Sequence, residues 1–265
     1  MLLQDKVVIV HGGGGAIGGA CARAFGREGA RVFLAGRTPE PLQRVAADIV
    51  AAGGQASCAT LDVLDPSAVR AHADDVAAQA GRIDVCLNAV GFFHVQGIAF
   101  LDLAAEDYLH PIDHYTRANF NTAQAAARHM ARQRAGVLLS LSTPGARLSG
   151  GGFLGNGVAS AAVEAFSRIL AGELGGHGIR VICLRPDAIP EALALSHSAK
   201  VFASAAAESG VSIEAMLAER AAGATLLGRL PTLAQVADCA AFLASDRAGA
   251  MTGTVANLTC GSLVD

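Results

Sequence analysis

The sequence predicts an α/β domain built on a doubly wound parallel sheet. Apolar runs of strand length, rich in Val and Ile, alternate with longer helix-like stretches. A run of four glycines joins the first apolar run to the first helical stretch. The 265 residues, 52% of them hydrophobic, suit one domain spanning 1–265 and leave little room for a second.

Each element follows from local pattern. Val7–Val10 reads as a buried strand and Ala16–Glu28 as a helix ended by Gly29. Arg31–Ala35 is a second strand, and Pro39–Ala52 a helix closed by Gly53-Gly54. Ala56–Leu61, Pro66–Gly81 and Asp84–Ala89 repeat the alternation. A long helix over about Ala105–Gln133 follows, then a strand over Val137–Leu141, a helix over Val158–Leu174 and a strand over Arg180–Leu184. Residues 190–227 read as mostly helical, and the segment at about 190–228 is expected to cover a substrate. Ala234–Ala244 is a helix and Val255–Leu258 a short last strand. Right-handed crossovers place ligands at the carboxyl ends of such strands.

Composition excludes several classes. The formal charge of −3 gives no basic stripe for nucleic acid. No run of eighteen apolar residues predicts a membrane span, and Met1–Lys6 has no signal pattern, so a cytoplasmic protein is expected. Cys21, Cys58, Cys86, Cys183, Cys239 and Cys260 form no C-x-x-C pair and read as reduced thiols. His94, His110, His177 and His197 have no metal spacing and no nucleophile partner, so no metal is expected.

His11-Gly12-Gly13-Gly14-Gly15-Ala16-Ile17-Gly18 lies directly between strand and helix. Glycines permit a tight turn and close backbone approach to a pyrophosphate, and the helix start offers unpaired N–H groups to its charge. This is a Rossmann-type dinucleotide site. After the second strand, Gly36 stands where an NAD site usually carries a carboxylate for the ribose 2′-hydroxyl, and Arg37 follows. A guanidinium binds a 2′-phosphate bidentately, so NADP(H) is expected over NAD(H). Asp62 and Val63 close the third strand where the acid meets adenine, and Asn88, Ala89 and Val90 close the fourth near the adenine ribose.

Together these segments resemble the short-chain dehydrogenase/reductase family over almost the whole chain. Gly12–Gly18 is similar to its T-G-x-x-x-G-I-G, with His11 for Thr and Ala16 for the middle Gly. Asn88-Ala89-Val90-Gly91 is similar to N-N-A-G, and Gly228-Arg229-Leu230, Phe242–Ser245 and Met251-Thr252-Gly253 match the family's carboxyl-terminal pattern. The resemblance implies hydride transfer between nicotinamide and a carbonyl or alcohol carbon of a small molecule, and a homo-oligomer, usually a tetramer. It also implies a tyrosine acid or base, a lysine four residues later, a strand-end serine and a relay asparagine.

At those positions the chain differs. Asn156 stands at the tyrosine position and Ser160 at the lysine position. Thr143, or Ser142 after a one-residue shift, takes the serine position, and Tyr115 takes the asparagine position. Pro186-Asp187 replaces the P-G that follows the sixth strand. The only tyrosines are Tyr108 and Tyr115, and the only lysines Lys6 and Lys200. Tyr115 is either a substitute acid or a filler of the space left by smaller groups. Arg147 and Arg185 are expected to flank the cleft, where they bind an acidic substrate or are solvated. The readings are therefore an NADP(H)-dependent oxidoreductase with an altered catalytic set, an inactive dinucleotide-binding sensor or partner subunit, and a non-redox lyase or isomerase on the same scaffold.

Overall fold

The computed structural model describes residues 1–208 and 210–265. Seven strands form one parallel sheet: β1 (Val7–His11), β2 (Arg31–Gly36), β3 (Gln55–Thr60), β4 (Val85–Asn88), β5 (Gly136–Leu141), β6 (Ile179–Pro186) and β7 (Thr254–Leu258). Their order is β3-β2-β1-β4-β5-β6-β7. The register is continuous across the switch: Val8 pairs with Val32 on one side and Val85 on the other.

The helices are α1 (Ala16–Arg27), α2 (Pro39–Ala51), α3 (Pro66–Ala80), α4 (Ala105–Gln133), α5 (Leu154–Leu174), α6 (Ser198–Glu208), α7 (Ile213–Ala224) and α8 (Leu233–Ala244). Successive strand residues point to opposite faces. Val8, Val10, Val32 and Leu34 therefore pack with α1, α2 and α8 in one core. Val7, Ile9, Phe33 and Ala35 pack with α3 and α4 in the other. Both faces of the sheet are covered, which is why its central strands read as unbroken apolar runs.

Local chemistry sets the helix starts. Asp65 caps α3 by accepting the N–H groups of Ser67 and Ala68. Thr232 and Gln235 form a reciprocal capping box at α8. Helix α5 begins at Leu154, four residues before the sequence expectation. Gly155, Asn156 and Gly157 are poor helix formers, but the small size of the glycines is needed: a Cβ on Gly155 would lie 2.9 Å from the Tyr108 carbonyl oxygen of α4, and one on Gly157 3.0 Å from the Gly145 carbonyl oxygen. The earlier start puts Asn156 and Ser160 on one continuous helix, one turn apart. The 190–227 stretch resolves into a short 3-10 turn (Pro190–Ala192), α6 and α7.

Candidate active site at the sheet switch point

The strand order reverses beside β1, and there the carboxyl ends of the strands splay into a crevice. A cavity of about 680 Å³ occupies it, within the size range of small-molecule sites. Four groups of residues line it.

The first group is the β1–α1 loop, through Gly12, Gly14, Gly15, Ala16 and Ile17. Gly12 has φ +77°, and a Cβ there would sit 2.7 Å from the Ala89 backbone. Its N–H donates to the Ala35 carbonyl at 2.8 Å, which pins the loop to β2. Gly18 lies behind the loop, where a Cβ would collide with the Gly12 carbonyl, so its part is close helix–strand packing. Gly15 is the N-cap of α1 and brings no side-chain cap. The first-turn N–H groups, which a helix cannot pair internally, are left for an anionic ligand. The donor set fits the diphosphate of a dinucleotide.

The second group surrounds the expected adenosine end: Gly36, Arg37, Thr38, Asp62, Val63, Ala89 and Val90. Asp62 accepts the Leu64 N–H at 3.0 Å, which orients its carboxylate at the strand end. Asn88 does not line this cavity. It is buried behind it, and its side-chain oxygen accepts the Val90 N–H at 3.1 Å, shaping the turn that does.

The third group holds the candidate catalytic residues. Thr143 Oγ1 and Ser160 Oγ are 2.9 Å apart, and Asn156 Nδ2 is 3.5 Å from Thr143 Oγ1. All three line the cavity, as does Pro186. Ser142 is otherwise engaged: its hydroxyl donates to Glu164 at 2.7 Å. Of the two alternatives for the strand-end hydroxyl, Thr143 is the one that meets residues 156 and 160. Tyr115 also lines the cavity, but its hydroxyl accepts the Phe92 N–H at 3.1 Å and reaches the Phe92 carbonyl at 3.4 Å. Burial pushes its phenol above the usual range, with the Phe92 contact pulling partly back.

The expectation for Arg185 needs correcting. It does not flank the cleft or meet solvent; its side chain is 1% exposed. It forms two bonds to Glu164, at 2.7 and 2.9 Å, and two to Asp265, both at 2.9 Å. These pairings hold its pKa above the ordinary arginine range despite burial. Arg147 is largely exposed, 3.9 Å from Asp265.

The fourth group was not legible as site residues in the sequence. His94 Nδ1 is 3.0 Å from the Phe92 carbonyl and its Nε2 is 3.1 Å from the Gln96 amide nitrogen. His197, just before α6, lies against Gly91, where an added Cβ would meet its ring. Burial pulls the pKa of both imidazoles down. Arg220 of α7 pairs with Asp187 at 2.7 and 3.0 Å, and Ser262 donates to the same carboxylate at 2.5 Å. Asp187 thus joins the end of β6, the covering helix and the carboxyl-terminal segment. Nothing in local spacing marks contacts made across 33 and 75 residues.

Among the described residues, no cluster of three or more His, Cys, Asp or Glu is arranged to hold a metal. No described helix is long and apolar enough to cross a membrane.

Comparison with known proteins agrees with this architecture. The family described as "Enoyl-(Acyl carrier protein) reductase" matches residues 14–262. The chain is 28% identical to "Short-chain reductase protein NovJ" of Streptomyces niveus, over 97% of this chain and 94% of that protein. It is 32% identical to "Momilactone A synthase" of Oryza sativa subsp. japonica, over 92% of this chain and 85% of that protein. Its structure superposes on a short-chain type dehydrogenase/reductase from Mycobacterium marinum with a TM-score of 0.84 and 27% identity, covering 99% and 97% of the two chains. With the glycine loop, the switch-point crevice and near full-length matches in agreement, the chain belongs to the short-chain dehydrogenase/reductase family of NAD(P)-dependent oxidoreductases.

Proposed function

We propose that this chain is an NADP(H)-dependent oxidoreductase whose catalytic set is Thr143, Asn156 and Ser160 in place of the usual tyrosine and lysine. The carrying observation is one continuous cavity with the glycine loop and Arg37 at one end and this hydroxyl–amide cluster at the other. The 1–265 chain acts as a single dinucleotide-binding domain, with α6 and α7 covering a small-molecule substrate.

Gly14, Gly15, Ala16 and Ile17 would hold the diphosphate through backbone N–H groups, and Arg37 the 2′-phosphate. Asp62, Val63, Ala89 and Val90 would frame adenosine, and Pro186 would border the nicotinamide. The bound dinucleotide supplies or accepts the hydride. Thr143 and Asn156 orient the substrate oxygen and stabilise its developing charge, with Ser160 supporting Thr143. Ser142 and Tyr115 serve as supports, through Glu164 and Phe92 respectively.

A second reading, an inactive dinucleotide-binding sensor or partner subunit, is favoured by one observation: Asn156 and Ser160 carry no group that titrates near neutral pH. Calorimetry with NADPH and NADH, followed by turnover on a carbonyl panel, separates the two. NADPH is expected to bind the wild type more tightly. Arg37→Ala should cost about 10–100-fold in NADPH affinity, the worth of a charge-assisted phosphate contact. Equal constants for the two cofactors would refute the NADP(H) preference. Tight binding without turnover would favour the inactive reading.

We also propose a homotetramer. Leu109 and Phe120 of α4 and Leu154 and Ile169 of α5 are exposed, and they give those helices apolar outer faces for a second copy. Light scattering showing a monomer would reject it. The buried free thiols Cys21, Cys86 and Cys183 fit a reducing compartment, the cytoplasm.

A further inference from the structure

We infer that the turn after β7, residues 259–265, is a brace for the site: Asp265 is a positioning residue for Thr143, acting through Arg185, Glu164 and Ser142. This inference rests on the reading above that Thr143 belongs to the catalytic set, and adds what holds it in place.

The contacts form a continuous chain. Asp265 accepts two bonds from Arg185 Nη1, both at 2.9 Å. Arg185 Nε and Nη2 donate to the two oxygens of Glu164 at 2.7 and 2.9 Å. The Glu164 oxygen that accepts Nε also accepts the Ser142 hydroxyl, at 2.7 Å. Ser142 and Thr143 are neighbours just past the end of β5, and the Ser142 N–H is tied to the Leu184 carbonyl of β6 at 2.9 Å. Glu164 also lies four residues after Ser160 on α5, on the same helix face. Ser160 Oγ in turn is 2.9 Å from Thr143 Oγ1. Glu164 therefore stands beside both supports of Thr143, the one on the strand and the one on the helix.

Stability alone does not account for this network. The Arg185 side chain is 1% exposed, so its charge is withdrawn from water. Apolar side chains of similar volume often serve stability as well as a buried ion network or better. What the network adds is direction. A guanidinium offers five N–H groups in one rigid plane. Pinning the Nη1 edge on Asp265 fixes the plane that Nε and Nη2 present to Glu164. Without that carboxylate the plane is free to tilt, and the acceptor of the Ser142 hydroxyl tilts with it.

The far anchor is stiff enough for this part. The Asn257 amide donates to the Leu263 carbonyl at 2.9 Å, and the Thr259 hydroxyl donates to the Asn257 side-chain oxygen at 2.7 Å. The Ser262 N–H donates to the Thr259 carbonyl at 3.1 Å. Cys260 and Gly261 close the turn with φ of +53° and +89°. The same turn carries Ser262, whose hydroxyl donates to Asp187, the partner of Arg220 on α7. Residues 262 and 265 thus tie the covering helix and the catalytic strand end to one rigid piece.

The test reads Thr143 directly, by NMR of the full chain with ¹³C-labelled threonine γ-methyl groups. Thr143→Ser identifies the resonance. Asp265→Ala should displace it, while Thr38 and Thr60, beside β2 and β3, stay in place. Asp265→Glu, which restores a carboxylate, should return it toward the wild-type position. In a Ser142→Ala background the displacement caused by Asp265→Ala should largely vanish, as coupling through a shared partner requires. NADPH affinity should not change, because Asp265 does not line the cavity. On a carbonyl of the panel that turns over, kcat should fall by up to about 10²-fold with KM for NADPH unaltered, the effect of a misplaced catalytic group.

A Thr143 resonance left in place by Asp265→Ala would overturn the inference. So would an equal displacement in the Ser142→Ala background, which would mean a charge acting through space. Failure of the wild type to bind NADPH would sink the dinucleotide reading alone, since the methyl spectra need no cofactor.

Discussion

His11 should make the fold acid-sensitive in a way that one substitution removes. It sits at the end of β1, 2% exposed, with its ring 6.0 Å from that of His72 on α3. The Nδ1 atoms of both rings are buried without a hydrogen-bond partner. Burial first, and the facing His72 second, lower the His11 pKa from 6.5 to about 3. Asp75 lies near enough to His72 to offset part of that ring's own lowering. Because the folded pKa lies below the unfolded one, the unfolded chain binds the extra proton between them. Stability is full above 6.5 and is lost as pH falls toward 3. From about pH 7 to about pH 5 this one group should remove about 2 kcal/mol, or about 4–8 °C in Tm. His11→Thr changes packing by an amount that does not depend on pH, but it deletes the titration. Urea unfolding followed by circular dichroism at the two pH values should show the wild type losing about 2 kcal/mol more than the variant. Equal losses would refute the assignment of a neutral buried imidazole at this position.

Other perturbations follow from the same contacts. Glu164→Gln keeps one acceptor oxygen but leaves the buried Arg185 with Asp265 as its one anionic partner there, and should cost about 3–5 kcal/mol in urea unfolding; a loss within about 0.5 kcal/mol would mean that the pairs are not maintained in solution. Gly18→Ala drives a methyl into the Gly12 carbonyl and should lower NADPH affinity at least about tenfold. Gly172→Ala on α5, where a Cβ meets nothing within 4 Å, should stabilise the fold by about 0.5–1 kcal/mol. Unaltered NADPH titration of Gly18→Ala would contradict the close helix–strand contact. Tyr115→Phe strands the Phe92 N–H and should cost about 1–3 kcal/mol of stability, with turnover nearly unchanged; a fall in turnover of about 10²–10⁴ would make Tyr115 the acid after all.

The sheet was legible in the sequence because its central strands, buried on both faces, carry unbroken runs such as Val7–Val10. The phosphate loop was legible because four glycines between strand and helix have few other uses. The start of α5 was not, since Gly155 and Gly157 read locally as loop and become helical only where their size lets α4 approach the first and the Gly145 carbonyl approach the second. Arg185 was misjudged for a related reason: a lone arginine is usually solvated, and its partners lie 21 and 80 residues away. His94 and His197 entered the site through loops that bring them to Phe92 and Gly91, and no periodicity signals that. The Thr143–Asn156–Ser160 cluster was found by position alone, but the contacts among its side chains required coordinates.

The interlock of Gly12 with Gly18 and Ala89 bears on how recognition is timed. Strand, turn and helix meet there with no room for a methyl group, so the loop has one shape before any ligand arrives. The entropy of ordering it is spent during folding. Association then has little loop disorder to overcome, and nucleotide capture at this end should resemble a key entering a cut lock, with adaptation confined to the helices above.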